Sequence, residues 1–516
     1  MLDMNRRKRF FLNGLMLTAV AITVRAVAIA FNSYLTGAVG AEGIGLFTLI
    51  MNVYGFAITF ATSGISLTVT RLVAEAVGIG READCRKIMR NAVIYSLIFS
   101  IFASCIMFFF SDFFAERVIG DMRGAEPIRI LALSLVPLSL CSVISGYFIG
   151  VKRVIKNAAV QVLGQAFRVA VTVFFIISSY GSSTARTVVG LTMAITLTEL
   201  FCFLVGFIEY IIDRKRQNVS AVSGSVGFSS VTSMALPLAL SAYIRSALLT
   251  LEHTLIPKGL IKRGENVSAA LASYGVLHGM AVPMLLFPMS TLTSFSGLLV
   301  PEFAESSASG ENERMKRLAQ EALESTLIYA SAVTVFLYIF SEELGYVLYN
   351  SYEAGHYIAL MSCVIPIMYL DHVADSMLKG IGEHVYSMWI NIADALISVL
   401  LVLILIPIMG IGGYAVVIVV MEAFNFIFSI SRLHKRIPFR IDLIRSFLIP
   451  LLCAVVSAIL SRSLFIMNGS EARAVWLLMK IVFAVCIFIA VYIPCKKIGN
   501  GYLKLRCRKI DQFLSE

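Results

Sequence analysis

Long apolar stretches, separated by short polar connections, run along almost the whole chain. Each is long enough for an α-helix to cross a bilayer, which takes roughly 20 residues. The strand-period alternation of an outer-membrane barrel is absent. The pattern predicts an all-α polytopic membrane protein with about 14 transmembrane helices. The predicted spans are 10–36, 43–70, 88–111, 128–150, 157–179, 186–212, 229–255, 268–300, 318–340, 355–379, 385–408, 411–432, 443–464 and 474–495.

The stretch from Arg25 to Glu75 contains the first two spans. A Gly-rich connection from Gly37 to Gly43 is predicted to join them. Arg25 lies inside the first span, where an arginine costs about 2.5–3.5 kcal/mol on insertion scales and normally faces a protein interior or a watery cavity. Arg25 is therefore a functional candidate.

Composition supports the membrane assignment and excludes several chemistries. Hydrophobic residues make up 58% of the chain, and the mean hydropathy is +0.85. The 9 cysteines are scattered and lack metal-ligand spacing. No P-loop, HExxH or DxD pattern is present, which argues against direct ATP use and metal-dependent glycosyl transfer. We predict that the protein is not an enzyme and has neither a cofactor nor a bound metal, apart from a coupling Na⁺.

The net charge is +11, and the basic residues are unevenly distributed among the loops. They concentrate at both ends of the chain and in the loops that follow the even-numbered spans, as the positive-inside rule describes. This predicts a multi-pass protein of the bacterial cell membrane with both termini in the cytoplasm. It also gives no reason to expect nucleic acid as a partner.

The sequence repeats itself. Residues 70–87 match residues 300–317, pairing Glu75 with Glu305, and Pro137 and Pro366 mark corresponding spans. Spans 1–6 and 7–12 therefore resemble two parallel copies of one six-helix unit, an arrangement found in transporters. The predicted domains are an N-lobe at 1–220, a C-lobe at 221–436, and two extra helices with a basic cytoplasmic tail at 437–516.

Arginines in equivalent spans of the two repeats suggest an anion site. Arg25 and Arg245 would suit a phosphate or pyrophosphate, because guanidinium groups match phosphate oxygens. The alternative is that each arginine pairs with a carboxylate and holds helices together. Gln161, Gln165 and Arg168 share one helix face, which favours helix packing; Arg168 is kept as a third candidate for the anion cavity.

Carboxylate and amide groups in spans 11 and 12 suggest a cation site. Asn391 and Asp394 are three residues apart, and Glu422 and Asn425 repeat this spacing. Their oxygens could coordinate Na⁺ or relay H⁺ and so couple transport to an ion gradient. Snorkelling or helix pairing is the alternative interpretation. Two further carboxylates, in span 10, are not included in this site: Asp371 and Asp375.

Span 8 contains Pro283 and Pro288. A proline removes a backbone hydrogen bond and permits a bend. Bent helices beside a cavity often act as gates, although many are static. Both prolines are gate candidates.

Several motifs resemble those of a known family. They are GAEGIGLF from Gly40, TSGI at 62–65, TRLVAE at 70–75 and LVPEFAE at 299–305, together with Tyr274, Gly275, Gly279, Ala281, Pro283, Phe287 and Pro288. These motifs are similar to those of the stage V sporulation protein B and polysaccharide exporter family, in the multidrug, oligosaccharidyl-lipid and polysaccharide (MOP) flippase superfamily. The resemblance covers nearly the whole chain.

The resemblance implies two six-helix lobes around a cationic cavity, with the last two helices forming a groove for a lipid tail. Arg25 matches an arginine that is essential in related lipid II flippases. Those flippases also carry basic residues in helices 2 and 8, whereas the corresponding segments here, 57–59 and 277–278, contain neither Arg nor Lys.

The expected function is that of a flippase for an undecaprenyl-pyrophosphate-linked oligosaccharide, a lipid II-like precursor, with spore cortex as a candidate setting. Alternatives are a cation-coupled multidrug exporter or a flippase for another lipid-linked polysaccharide unit. A membrane glycosyltransferase and a scaffold are less favoured. We expect a monomer in contact with membrane lipids and, as a further partner, cell-wall synthases.

Overall fold

The computed structural model describes residues 34–62, 64–78, 84–151, 153–178, 184–215, 227–464 and 475–495. Every regular element in these ranges is a helix. They divide into two compact units. One comprises Ala38–Gly275 with Ala395–Tyr414, and the other comprises residues 34–37, Val276–Asp394 and the described residues from Ala415 onwards. These limits differ from the predicted domain boundaries, and the division into two six-helix lobes stays a prediction.

The described residues before position 276 contain nine longer helices. They are α1 (34–62), α2 (Ile65–Gly78), α3 (Asp84–Phe109), α4 (Ala125–Ala132), α5 (Leu135–Gly150), α6 (Val154–Ser178), α7 (Thr184–Lys215), α8 (Phe228–Arg263) and α9 (Val267–Tyr274). Short helical segments at Ser111–Phe113, Phe114–Ile119 and Met122–Gly124 connect α3 to α4.

A π-helix at Gly275–Ala281 leads into the following helices. They are α10 (Val282–Ala308), α11 (Asn312–Ile339), α12 (Ser341–Tyr349), α13 (Tyr352–Ser362), α14 (Ile365–Gly380), α15 (His384–Met409), α16 (Ile411–Arg436), α17 (Ile449–Leu464) and α18 (Val475–Cys495). Another π-helix, Ile444–Leu448, precedes α17.

The described residues contain 10 helices that are long and apolar enough to cross a membrane, or 12 when two bent pairs are counted as spans. The prediction of an all-α, multi-pass membrane protein is confirmed. Span 10–36 lies almost entirely outside the described residues. Span 229–255 corresponds to α8, which carries Arg245 and Glu252 and is not among the 12. The count of 14 therefore stays a prediction.

Each bent pair breaks just before a proline. α4 and α5 meet at 45°, and α13 and α14 meet at 58°. Pro137 and Pro366 follow these breaks within the first turn of α5 and α14. Proline has no N–H, so the carbonyl four residues earlier loses its helical partner and the helix bends there. The two prolines that mark corresponding spans in the sequence thus produce the same local structure.

The prediction of a connection at 37–43 is wrong, because these residues are helical. Gly40 has a positive φ of 77°, so the helix is distorted locally at this residue. A Cβ atom on Gly45 would collide with the backbone at Leu271, and one on Gly275 would collide with Ala41. The glycines serve a close crossing of α1 with the α9 region.

The α2, α3 and α5 helices form a tight core. Thr70 Oγ1 donates to the Gly146 carbonyl at 3.1 Å, and the Ser96 and Ser139 hydroxyls lie 2.6 Å apart. A Cβ atom on Gly146 would lie 2.6 Å from the Ser66 carbonyl oxygen. Close helix approach through small residues is typical of membrane proteins, where lipid gives helices little hydrophobic reason to associate.

A buried lysine joins the last helix to the rest of its unit. Lys480 of α18 is 3.1 Å from Glu343 of α12. Ser461 of α17 donates to the Lys480 carbonyl at 2.7 Å. Because an unpaired charge at this depth would be costly, these contacts fix how α17 and α18 pack.

The first prediction concerns the α2–α5 contact. Gly146→Ala should lower the free energy of unfolding by about 1–3 kcal/mol, because the added methyl group overpacks the helix crossing. The measurement is the midpoint of thermal unfolding in detergent. Gly55→Ala is the matched control, since a Cβ atom there meets nothing within 4 Å. Equal midpoints for the two variants would contradict the prediction.

The second prediction concerns pH. Between α14 and α15, Glu383 accepts hydrogen bonds from Arg432 at 2.8 Å and Arg436 at 2.6 Å. The hydrogen bond from Arg432 is the main reason that the pKa of the Glu383 carboxyl lies below its usual value of 4.5. A lowered pKa stabilises the fold above the unfolded-state pKa, and this stability disappears as pH falls through the folded-state pKa.

Glu383→Gln should therefore cost about 1 kcal/mol at neutral pH and progressively less below pH 4.5. Thermal unfolding of both proteins between pH 3 and pH 8 measures this difference. A gap that stays constant across the range would show that the carboxylate charge is not its source.

Candidate functional site

Three carboxylates from three helices lie near one another. They are Asp371 of α14, Asp394 of α15 and Glu422 of α16, here called the acidic cluster. Glu422 experiences the charges of both aspartates, and Asp371 experiences that of Asp394. All three belong to the same compact unit. Sequence reasoning paired Asp394 with Glu422 but omitted Asp371, because the approach of α14 to the other two helices is a tertiary feature.

The cluster retains oxygen atoms that could accept a ligand. Ser429 hydrogen-bonds to Asp371. Oδ1 of Asp371 and Oδ1 of Asn425 are buried, and within the described residues neither has a hydrogen-bond partner. Asn425 and Ser429 follow Glu422 along one face of α16. Buried polar atoms are normally satisfied, so these two unpaired oxygens, one of them on a cluster carboxylate, make the cluster a candidate site for a cation or a proton.

Cationic charge lies at one edge of the cluster. Lys379 pairs with Asp375 at 2.5 Å, and both act electrostatically on Asp371. The ion pair is one to two turns along α14 from Asp371, so Lys379 compensates Asp375 directly and Asp371 only weakly. Asp371 is therefore the less compensated of the two aspartates that sequence reasoning left out.

Asn391 contributes to its own helix. Its Nδ2 donates to the Ser387 carbonyl at 2.7 Å. Within the described residues, no group of three or more His, Cys, Asp or Glu side chains is arranged so that it could hold a metal ion. The geometry is thus that of an open group of carboxylates, suited to H⁺ or a loosely held Na⁺, and not that of a closed metal site.

The three predicted anion-site arginines have different surroundings. Arg168 of α6 pairs with Glu199 of α7 at 3.2 Å, while its buried Nε has no partner within the described chain. Arg245 of α8 is exposed. Arg25 lies outside the described residues. The pairing of Arg168 supports the alternative interpretation as helix packing, and the anion site itself stays a prediction.

Glu252 of α8 is a buried carboxylate for which sequence reasoning assigned no role. Tyr414 donates to it at 3.1 Å, and Ser398 provides a second hydrogen bond. Both donors lie in the segment 395–414, which packs in the same unit. Unlike the acidic cluster, this carboxylate is surrounded by hydroxyl donors, which indicates a structural role.

The predicted gate prolines lie beside two tyrosines. Pro283 stands in the first turn of α10, and Pro288 lies further along the same helix. Tyr329 donates to the Pro288 carbonyl and Tyr369 to the Leu285 carbonyl, each at 2.9 Å. The two tyrosine rings are stacked with their centroids 6.1 Å apart. The two tyrosine hydrogen bonds therefore stabilise the part of α10 around Pro288. The role of the two prolines as a gate stays a prediction.

Comparison with known proteins identifies the family. Residues 11–307 match the family described as "Polysaccharide biosynthesis protein", and residues 265–404 match the MatE family. The chain is 25% identical over 466 residues to "Stage V sporulation protein B" of Bacillus subtilis (strain 168), covering 87% of this chain and 89% of that protein.

Two solved structures share the fold. The "Inward-facing conformation of a multidrug resistance MATE family transporter of the MOP superfamily" has a TM-score of 0.67 and 18% identity, covering 81% of this chain and 98% of that one. "Lipid II flippase MurJ, inward closed conformation" has a TM-score of 0.66 and 12% identity, covering 94% and 99%.

These similarities confirm the predicted resemblance and the expectation of a membrane transporter and not an enzyme. The family match spans more than half of the chain. The chain therefore belongs to the polysaccharide biosynthesis protein family.

Proposed function

We propose that the protein moves a lipid-linked oligosaccharide from the inner to the outer leaflet of the bacterial cell membrane by alternating access. We further propose that H⁺ or Na⁺ binding at the acidic cluster drives the cycle. The observation that carries this proposal is the cluster itself: three mutually repelling carboxylates on membrane helices, with free oxygens beside them. Carboxylates left in this state are costly, which is typical of functional sites.

Cation binding at the cluster has a direct physical consequence. Asp371, Asp394 and Glu422 repel one another when ionised, and one bound H⁺ or Na⁺ removes part of that repulsion. Because the three side chains come from three helices, the repulsion acts on how these helices pack. A cation can shift the transport equilibrium only if the inward and outward states bind it with different affinity.

The residues present fit a monovalent cation. Asp371, Asp394, Glu422 and Asn425 would hold it, because carboxylate and amide oxygens are the hard ligands that such ions prefer. When bound, the ion would supply positive charge that neutralises the cluster. Asn391 donates to its own helix through Nδ2, which leaves its Oδ1 as a further oxygen for the ion.

The substrate assignment comes from the family and the relatives. The family is described as "Polysaccharide biosynthesis protein", and relatives include "Stage V sporulation protein B" and "Lipid II flippase MurJ". These names favour an undecaprenyl-pyrophosphate glycan such as a peptidoglycan precursor, with spore cortex as the setting. Arg25 and Arg245 would bind the pyrophosphate. Both termini would lie in the cytoplasm.

A cation-coupled drug exporter is the second candidate. Its supporting observation is the same acidic cluster, since carboxylates would also attract a cationic drug, and a multidrug transporter shares the fold. The two candidates differ in what competes with the coupling ion. A cationic drug would compete for the carboxylates, whereas an anionic lipid would not.

The third prediction tests coupling. In proteoliposomes, Asp394→Asn and Glu422→Gln should each reduce the stimulation of fluorescent lipid II flipping by an ion gradient by about 5- to 150-fold, the usual range of a coupling free energy. Flipping without a gradient should change much less. Separate H⁺ and Na⁺ gradients identify the ion.

The matched control is Asp112→Asn. Asp112 pairs with Arg129 at 2.6 Å on an exposed surface away from the cluster. This variant should keep the full response to the gradient. Loss of the response in Asp112→Asn, or its retention in both cluster variants, would refute the assignment of the coupling site. Cationic drug transport with no lipid II flipping by the unmodified protein would favour the second candidate.

The fourth prediction tests the pyrophosphate site. Arg25→Ala and Arg245→Ala should each weaken lipid II binding roughly 10- to 150-fold, because a hydrogen bond to a charged group contributes about 1.5–3 kcal/mol. Binding is measured with purified protein in detergent. Arg129→Ala, which removes a paired arginine, is the control. Unchanged affinity in both cavity variants, with the protein folded, would exclude these two residues.

A further inference from the structure

A groove of about 500 Å³ lies between α3, α5 and α7, apart from the acidic cluster. We call it the basic groove. Arginines from the first two turns of α3 and the last turn of α7 line one end. These ends are on the side predicted to face the cytoplasm. The arginines are Arg86, Arg90 and Arg214.

The three arginines lie close together at this end of the groove. Arg86 and Arg90 are one helical turn apart and therefore share a face of α3. Arg86 and Arg214 both act electrostatically on Tyr210, which places the α3 and α7 cations around one point. All three arginines are exposed, and none forms an ion pair with a residue that the structure describes. Converging cations of this kind attract an anion.

Asp213, the residue that precedes Arg214, already has cationic partners. Asp213 is fully buried and accepts hydrogen bonds from Lys156 at 2.5 Å, from Tyr147 at 3.1 Å and from Arg153. Two cations therefore pair with Asp213 from the α5–α6 side, so its ion pairs do not involve the arginines of the groove, although its charge still acts on Tyr210. Tyr147 also packs edge-on against Tyr210, with centroids 5.0 Å apart, which fixes the aromatic ring at the groove wall.

The remainder of the groove is apolar. Ile94 and Phe207 are 44% and 43% exposed, and Phe203 stacks on Phe207 with ring centroids 5.7 Å apart. Phe203 and Tyr210 pack against the buried core of the unit, so the wall is backed by protein. Charge at one end and a hydrocarbon surface running away from it match the two parts of a lipid.

We propose that the basic groove binds an anionic membrane phospholipid, with its phosphate at Arg86, Arg90 and Arg214 and an acyl chain along Phe203 and Phe207. Guanidinium groups pair bidentately with phosphate oxygens. Basic pockets between membrane helices on the cytoplasmic side are suited to lipid headgroups. The bound lipid would link the ends of α3 and α7 and stabilise this unit.

The lining favours a phospholipid over the lipid-linked glycan. It contains arginine, lysine, tyrosine and apolar residues but no Asp, Glu, Asn or Gln among the described residues. Sugar hydroxyls would find few partners there, whereas a phosphate would find three guanidinium groups. The lining contains none of the residues proposed for coupling or for the pyrophosphate, so the proposal does not depend on which substrate is transported.

The fifth prediction tests this site with the full-length protein in detergent. Phosphatidylglycerol should raise the thermal unfolding midpoint more than phosphatidylcholine does, and it should remain bound in native mass spectrometry. Replacing all three arginines (R86Q, R90Q and R214Q) should weaken phosphatidylglycerol binding about 100-fold, at roughly fivefold for each basic residue. Phosphatidylcholine binding should not change. High salt should reduce the difference between the lipids.

The matched control replaces three arginines that already have carboxylate partners. Arg71 pairs with Glu75, Arg314 with Glu302 and Arg445 with Asp442. Their combined replacement by glutamine should leave phosphatidylglycerol binding intact. If the groove variant fails to fold, R90Q alone is measured, and a fivefold loss is expected. Phe207→Ser should weaken binding of the lipid but not of inorganic phosphate.

Several results would overturn the proposal. Equal binding of phosphatidylglycerol and phosphatidylcholine would remove the role of charge. Displacement by inorganic phosphate or pyrophosphate at low concentration would indicate a site for a free anion. Displacement of phosphatidylglycerol by lipid II would indicate part of the transport pathway. Retained binding in the folded groove variant would place the lipid elsewhere.

Discussion

A polar or charged group inside a helical membrane protein has to find its partner within the protein, because lipid offers none. Most of the described structure obeys this constraint through pairs that join different helices. Lys480 is bound to Glu343, Arg168 to Glu199, and Glu252 to Tyr414. Each pair fixes the packing of two helices whose apolar surfaces alone would leave it undetermined.

The acidic cluster departs from this rule, which is the reason that we propose it as the coupling site. Glu252 shows that the chain can satisfy a buried carboxylate with hydroxyl groups when the role is structural. At Asp371 and Glu422 the nearest charges are other carboxylates. Hydroxyl donors surround Glu252, whereas other carboxylates surround the cluster. This difference distinguishes a structural carboxylate from a proposed ion-binding one more clearly than burial does, since both sites are largely buried.

Much of the fold follows from the sequence, because hydropathy and helix length are local properties. The all-α class and most of the spans could be predicted, and Pro137 and Pro366 could be recognised as marking corresponding spans, although the bends before them were not predicted. Contacts between distant segments could not. Asp371 joins Asp394 and Glu422 through the packing of α14, and the basic groove combines Arg90 with Arg214 across two helices. The segment 37–43 was predicted as a connection because of its glycines, but it is helical, and the positive φ of Gly40 distorts it only locally. The close helix crossing is made by Gly45, just beyond this segment, and by Gly275.

The π-helix at Ile444–Leu448 determines the rotational register of α17. A π-turn is in effect one residue inserted into an α-helix, and one residue corresponds to about 100° of rotation. The buried face of α17, with Cys453, Ser457 and Ser461, comes after this insertion. Related chains of different length in this segment would therefore present another face of α17 to the core, unless a compensating residue change lies nearby. The hydrogen bond from Ser461 to Lys480 thus depends on a single residue at least a dozen positions earlier in the chain.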